Sequence, residues 1–139
     1  MEMKKVILYV VLPASLIFGP LIAISSPSVG CYQKQIDKNP NSESSKKWQI
    51  RLADLCLKTM RPDMAAEMYG KFAARYVDDP RRPDALWYQA IAYQRNEQKA
   101  EAIATLVKLF KEHNGHHRRQ DADDKLVKEY QYFAHRAGG

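Results

Sequence analysis

Apolar residues between positions 46 and 114 recur at spacings of three and four, the pattern of helices that bury one face. No segment alternates apolar and polar residues as a half-buried strand does. The pattern therefore predicts an all-α domain. A last apolar stripe is formed by Ala122, Leu126, Tyr130 and Phe133. The five predicted helices span about 44–60, 63–77, 83–95, 98–113 and 121–136.

Local signals mark where these helices begin and end. Ser44 or Ser45 suits the N-cap of the first helix. Pro62 ends that helix, because the residue before a proline is pushed out of helical space. Pro83 suits the first turn of the third helix. The fifth helix is expected to begin at an acidic cluster that complements the helix dipole, namely Asp121, Asp123 and Asp124.

Two helical hairpins are related by an offset of 37 residues. Residues 65–72 align with residues 102–109: a small residue opens each segment, and bulky apolar residues follow four and seven places later. Upstream, residues 52–56 align with residues 89–93 at the same offset. A period of this length is typical of stacked helical hairpins, each unable to bury its apolar face alone. Such a stack favours partner binding over catalysis.

The segment from Ala65 to Phe110 resembles the tetratricopeptide repeat. It is similar to exported bacterial members of that family, of the barrel-assembly lipoprotein and Tol-associated coordinator kind, which carry F-x-K-F-x-x-x-Y-P-D-S-P followed by D-A-L-Y-W. The matching residues are Met68-Tyr69-Gly70-Lys71-Phe72-Ala73-Ala74-Arg75-Tyr76-Val77-Asp78-Asp79-Pro80, then Pro83-Asp84-Ala85-Leu86-Trp87-Tyr88. The resemblance implies a stack of two hairpins plus a C-terminal capping helix, with a non-catalytic role in protein–protein interaction.

The N-terminal segment has the features of an export or anchoring sequence. Lys4 and Lys5 precede Val6–Ile24, a run without any charged residue. As a helix at ~1.5 Å per residue, this run would reach roughly 28 Å, about the thickness of a hydrocarbon core. The two lysines predict a cytoplasmic N-terminus by the positive-inside rule. We therefore expect the rest of the chain in the periplasm or an equivalent extracytoplasmic space.

Three fates of this segment remain open on the sequence. Signal peptidase could cleave before Ser26, after Ala23-Ile24-Ser25. Ser28-Val29-Gly30-Cys31 resembles a bacterial lipobox, in which Cys31 is lipidated. Retention as a membrane anchor is the third fate. The resulting domain prediction is a signal-anchor or lipoprotein segment at 1–31, a polar linker at 32–45 and a helical domain at 46–139.

Charge and cysteine content add little to this interpretation. The chain has a formal net charge of +6, which favours acidic partners or anionic head groups. Cys31 and Cys56 could form a disulfide in an exported compartment. The favoured interpretation is a buried thiol, because Cys56 lies on the apolar side of a predicted helix, where free cysteine packs as a small hydrophobe.

The strongest candidates for partner contact lie where the second hairpin begins. Arg81 and Arg82, beside Asp78-Asp79, could clamp a carboxylate of a partner or could pair within their own turn. Trp87 and Tyr88 could line a groove together with Trp48, although adjacent residues of one helix point in different directions. Arginine and large aromatic residues dominate interface energetics, so we predict that Arg81, Arg82, Trp87 and Tyr88 bind a protein partner.

A histidine cluster is the only other candidate site. His113, His116 and His117 could suggest a metal site, but Arg118-Arg119 follows and disfavours a nearby cation. We interpret the loop as solvated and basic. No glycine-rich phosphate loop, G-x-S-x-G or H-E-x-x-H motif occurs.

These observations predict a membrane-tethered, non-enzymatic scaffold that needs no cofactor or metal and does not bind nucleic acid or a small-molecule substrate. Its expected role is an accessory or assembly subunit of a larger membrane complex. The alternative is a lipid-anchored envelope-biogenesis protein that binds client peptides, in outer-membrane assembly or a Tol-type system.

Overall fold

Six α-helices and no β-strand make up residues 26–131, the part of the chain that the computed structural model describes. The all-α prediction is confirmed. Within these residues, no helix is long and apolar enough to cross a membrane, and Val6–Ile24 lies outside them. The helices are α1 (Ser26–Lys38), α2 (Glu43–Lys58), α3 (Pro62–Arg75), α4 (Arg82–Arg95), α5 (Lys99–Glu112) and α6 (His117–Tyr130).

The helix ends follow the expected local chemistry, with small shifts. Ser42, rather than Ser44 or Ser45, caps α2: its Oγ accepts a hydrogen bond from the Ser45 N–H at 3.0 Å. The turns that close the two hairpins each contain a residue in left-handed conformation, Met60 (φ 60°) and Glu97 (φ 59°). These two residues are 37 positions apart, so the hairpin turns repeat along with the helices.

The prediction of a polar linker at residues 32–45 is wrong over its first half, because α1 extends to Lys38. The buried face of α1 consists of Val29, Gln33 and Ile36, spaced by four and three residues. Gln33 accepts a hydrogen bond from the buried Gln49 of α2, 3.0 Å between Oε1 and Nε2. A helix that buries a glutamine between two apolar residues has too weak an apolar pattern to be recognised from its sequence.

The helices pack as antiparallel hairpins in a repeat-like arrangement, each helix against the next along the chain. One apolar cluster joins α2, α3 and the back of α4 around Cys56, Tyr69 and Phe72. A second cluster joins α4, α5 and α6 around Leu106, Leu109 and Leu126. The core therefore consists of two apolar clusters along the stack, and α4 contributes one face to each of them.

Equivalent helices lie side by side in register. The N-terminal ends of α2 and α4 are joined by Glu43 and Arg81, 2.8 Å apart, and their C-terminal ends by Arg95 Nη1, which donates to the Leu57 carbonyl at 3.3 Å. The C-terminal ends of α1 and α3 are joined in the same way by Asp37 and Arg75 at 2.8 Å. Each pair is separated by 38 residues. Helix α1 therefore occupies the position of the second helix of a hairpin.

The last helix begins earlier than predicted. α6 starts at His117, and His116 caps it by accepting the Arg118 N–H at its Nδ1, 3.2 Å away. Asp121, Asp123 and Asp124 consequently lie inside the helix and not at its first turn, so the interpretation of this cluster as a helix N-terminus is wrong. Ala122 and Leu126 are buried as expected. The predicted extension to residue 136, with Phe133, lies outside the described residues.

Both cysteines are free. Cys56 is fully buried in the first apolar cluster, and burial raises the pKa of its thiol, which confirms the prediction of a buried thiol. Cys31 is exposed on α1.

Candidate functional site

An open apolar groove of about 600 Å³ lies between α1 and α2, at the N-terminal edge of the stack. We call it the α1–α2 groove. From α1 it is lined by Tyr32, Gln35 and Ile36. On the other side it is lined by the N-cap residue of α2, Ser42, and by residues of α2 itself: Ser44, Ser45, Trp48, Arg51, Leu52 and Leu55.

Large apolar side chains are unusually accessible in this groove. Tyr32 is 48% exposed, Trp48 51% and Leu55 41%. Single exposed apolar residues are common on protein surfaces, but a cluster that lines one concavity is typical of a binding site. The α1–α2 groove is therefore the best candidate for a functional surface among the described residues.

The groove exists because α2 is apolar around more than one face. One face buries Ala53 and Cys56 against α3. A second face, with Trp48 and Leu55, points away from that core and is only partly covered by α1. Residues at i, i+4 and i+7 share a helix face, so Trp48, Leu52 and Leu55 form one stripe.

The two helices that form the groove carry cations without carboxylate partners, and one of these, Arg51, lines the groove. The carboxylates of α1 and α2 all have partners: Asp37 binds Arg75, Glu43 binds Arg81, and Asp54 accepts the Tyr69 hydroxyl hydrogen bond. The guanidinium of Arg51 lies over the Trp48 ring, 5.7 Å from its centroid. Within residues 26–131, five cations of these two helices have no carboxylate partner: Lys34, Lys38, Lys47, Arg51 and Lys58.

Arg81 pairs within its own turn and across to α2. Its guanidinium binds Asp79 at 2.7 Å and Glu43 at 2.8 Å. The hydrogen bond from Arg81 is the main reason that the pKa of Asp79 falls from its ordinary value of 3.8 to about 2. The Arg81 side chain therefore joins two hairpins and presents little free donor capacity to a partner.

Arg82 is a buried structural residue. Its Nε donates to the Ala73 carbonyl at 2.8 Å, and its Nη2 binds Glu112 at 2.7 Å. Its Nη1 lies 3.0 Å from Nε2 of His113, which accepts in the neutral tautomer that carries its proton on Nδ1. Burial first, and then the Arg82 charge, lower the pKa of His113.

Trp87 and Tyr88 pack mainly on different neighbours but share one, Arg118 of α6, whose guanidinium also lies 5.6 Å from the centroid of the Tyr88 ring. Trp87 packs against the second cluster, with Arg118 of α6 at 5.2 Å over its ring. Tyr88 stacks on Tyr69 of α3, 5.8 Å between ring centroids, and is 37% exposed. The four predicted contact residues consequently do not form one surface: only Tyr88 is open to a partner.

The histidine loop forms one wall of a second, shallower depression between the α3–α4 turn and the end of α5. Within the described part of the chain, no three His, Cys, Asp or Glu side chains converge as metal ligands. The rings of His116 and His117 pack at a tilt, 4.2 Å between ring centroids. Arg118 binds Asp84 at 2.8 Å, which connects α6 to α4.

Sequence reasoning named Trp48 as a possible groove residue but missed Tyr32 and Leu55. Tyr32 lies in the predicted linker at 32–45, and Leu55 lies in a predicted helix whose apolar residues are expected to be buried. A usable signal is present in α2, where Trp48, Ile50, Leu52, Leu55 and Leu57 cover more of the helix circumference than one buried face requires.

No protein-family model matches this chain, and no curated protein matches it.

Proposed function

We propose that this protein is a non-catalytic protein-binding scaffold, tethered to a membrane and exposed on its extracytoplasmic face, where it acts as an accessory or assembly subunit of a larger complex. The single observation that carries the proposal is the α1–α2 groove, with Trp48 half-exposed in an apolar concavity at the edge of a helical stack. Apolar concavities lined by an aromatic anchor are typical hot spots of protein interfaces.

Two features support assigning the stack to the tetratricopeptide-repeat class. The ion pairs and hydrogen bonds that join equivalent helices recur at a separation of 38 residues, close to the period of about 34 for that repeat. The hairpin turns contain Met60 and Glu97 in left-handed conformation, at equivalent positions. Neighbour-to-neighbour packing is the general organisation of such repeats.

The uncharged run Val6–Ile24 supports the membrane tether. The burial of Val29 favours an anchor, or cleavage before Ser26, over lipidation of Cys31. Lipobox processing would remove Ser26–Gly30, which includes the first turn of α1 and the buried Val29. The envelope-lipoprotein alternative is therefore the weaker candidate.

The binding surface is tested by affinity purification in a mild detergent from the organism's own membranes. We expect the double substitution Trp48→Ala and Leu55→Ala to release the partner proteins, because it removes the apolar anchors of the groove. Met60→Ala and Val77→Ala provide a matched control, since both side chains are exposed outside the groove. Equal recovery of partners with both double variants would contradict a role of the groove in binding.

The tether and its orientation are tested by a reporter fused after Gly139. An enzyme that is active only outside the cytoplasm, such as a phosphatase that needs disulfides, should be active in this fusion. A reporter that is active only in the cytoplasm would contradict the proposed orientation.

A further inference from the structure

The face of α2 that lines the groove has equivalents elsewhere in the stack. Trp48, Leu52 and Leu55 correspond, at the offset of 37, to Ala85, Gln89 and Ala92 of α4. Ala85 and Ala92 are buried against α2 and α3, the hairpin that precedes α4. The equivalent face of α4 is therefore the one by which this helix packs onto the previous hairpin.

The same face is covered in α6. A further step of 37 residues leads to Ala122, Leu126 and Glu129. Ala122 and Leu126 are fully buried against α4 and α5, and Glu129 accepts a hydrogen bond from Gln94 of α4 at 2.7 Å. In α4 and α6 this face thus contacts the first helix and the second helix of the preceding hairpin. On α2, among the described residues, the part of this face formed by Trp48 and Leu55 is covered only partly, by α1, which holds the second position.

The α1–α2 groove therefore has the geometry of a helix position, with α1 and α2 as its two walls. A helix in this position would run parallel to α2, because α2 and α4 lie parallel with their equivalent ends joined. The flank of α2 beside this position carries Lys47, Arg51 and Lys58, spaced by four and seven residues, none with a carboxylate partner among residues 26–131. A helix with carboxylates at the same spacing would complement these cations.

We propose that the α1–α2 groove binds one amphipathic helix of a partner protein, which completes the stack in trans by packing parallel to α2 with an apolar face in the groove and an acidic flank against Lys47, Arg51 and Lys58. This inference rests on the proposed scaffold function and specifies the chemistry of the partner. The binding mode is helix-in-groove recognition with a helix of about four turns, the length of α2.

A segment of the same chain is the main competing occupant. Residues 6–21 precede α2 by the repeat offset of 37. This segment contains no carboxylate that could pair with Arg51, and Pro13 in its middle removes a helical hydrogen bond and clashes with the preceding turn. The charge pattern of α2 therefore favours a partner helix over the chain's own N-terminus.

The test uses the full chain in a non-ionic detergent and a synthetic 16-residue peptide. The peptide carries Leu and Ala at helical positions i, i+4, i+7 and i+11, and Glu at a 4 and 7 spacing along one flank. Trp87→Phe leaves Trp48 as the single tryptophan, so that its fluorescence reports the groove. We expect a saturable blue shift on peptide addition, with a dissociation constant of about 1–100 µM, since a small groove offers limited contact area.

A charge exchange tests the acidic flank. Arg51→Glu should weaken binding of the Glu peptide by about tenfold, and a matched peptide with Lys in place of Glu should bind this variant better than the unmodified protein. Lys71→Glu on α3 is the control reversal, because Lys71 is a surface cation outside the groove. Binding of both peptides with equal affinity to all variants would overturn the acidic-helix assignment.

Further outcomes separate the competing occupants. No blue shift with either peptide overturns the inference. Protection of Trp48 from an aqueous quencher before peptide addition would show that the groove is already occupied. The occupant is a second copy of the chain where sedimentation shows a dimer, and the chain's own residues where the protein is monomeric. If the peptide fails to bind while Trp48→Ala and Leu55→Ala still release the native partners, the scaffold function is supported and the assignment of an amphipathic helix as the partner is wrong.

Discussion

The two ends of this helical stack differ in the polarity of the side chains that they expose to solvent. At the C-terminal end, α6 buries Ala122 and Leu126 and exposes a polar surface, on which Lys125 binds Glu129 at 2.6 Å and Gln120 binds Asp124 at 3.2 Å. At the N-terminal end, α2 leaves Trp48 and its apolar neighbours half-exposed beside α1. The C-terminal end therefore exposes polar residues, as an ordinary protein surface does, whereas the N-terminal end exposes apolar residues, as a binding interface does.

This difference follows from the repeat architecture. Each hairpin buries its apolar face against the next, so an end of the stack needs a helix that is apolar on one side only. Helix α6 meets this requirement. Helix α2 is apolar on two sides and has one neighbour too few within the described residues, which explains why the groove lies at this end of the stack.

The largest expected effect comes from the same truncation made at each end. Leu126→Ala should lower the free energy of unfolding by about 2–5 kcal/mol, because a fully buried leucine leaves a cavity. Leu55→Ala should cost less than about 1 kcal/mol, because 41% of the Leu55 surface is already exposed to water and its removal leaves no closed cavity. Urea unfolding followed by circular dichroism measures both. Equal losses would mean that the groove end is as well packed as the capped end.

A second prediction concerns whether α1 belongs to the stack. Val29→Asp should cost about 1–3 kcal/mol locally, because a carboxylate enters an apolar contact between α1 and the core. We expect the amides of α1 to lose hydrogen-exchange protection while those of α3 to α6 keep theirs. Gln35→Asp adds the same charge at an exposed position of α1 and is the matched control. Unchanged protection in the Val29 variant would contradict the packing of α1.

Much of the fold could be predicted because α2 to α5 follow strong local rules. Their apolar residues recur at helical spacing, Pro62 and Pro83 mark two helix starts, and the offset of 37 indicates stacked hairpins. α1 could not be predicted in the same way. Its contact with α2 uses Gln33 and Gln49, whose burial is stabilised by a long-range hydrogen bond that leaves no pattern in the local sequence.

The candidate site was harder to predict than the fold. An arginine in a turn can contact a partner or bind internally, and composition does not distinguish the two. In the structure, Arg82 binds the Ala73 carbonyl and Glu112, from two other helices, which become its neighbours only through tertiary packing. The groove forms because, within residues 26–131, one face of α2 is only partly covered, and this is a property of the tertiary packing and not of the local sequence.

A third prediction concerns the ion pair at the joint between the first and second hairpins. The pKa of Asp79 is about 2, below its ordinary value of 3.8, so this carboxylate stabilises the fold above about pH 4 and loses that contribution as the pH falls towards 2. Asp79→Asn should therefore be about 1–2 kcal/mol less stable than the unmodified protein at pH 6, and this difference should shrink to a small fraction at pH 2.

Urea unfolding at several pH values measures this difference. Asp78→Asn, at the adjacent exposed position, is the control for the change in net charge. A difference between Asp79→Asn and the unmodified protein that is as large at pH 2 as at pH 6 would show that the Arg81–Asp79 contact does not act through the ionised carboxylate.

The smallest expected effect concerns the contact between α4 and α5, in the interior of the stack between its two ends. Burial lowers the pKa of His113 below 6.5, the nearby Arg82 lowers it further, and Glu112 opposes both. The neutral imidazole is therefore the folded form, and its contribution to stability is complete above about pH 6.5 and declines as the pH falls below that value. Glu112→Gln should lower the pKa of His113 still further, because it removes a nearby negative charge that favours protonation. An NMR titration of the His113 ring protons measures the change, with His117 as an exposed reference in the same spectra. A pKa of His113 that rises in the Glu112 variant would mean that Arg82 turns away once its ion pair is lost, and that this joint is less rigid than the capped end of the stack.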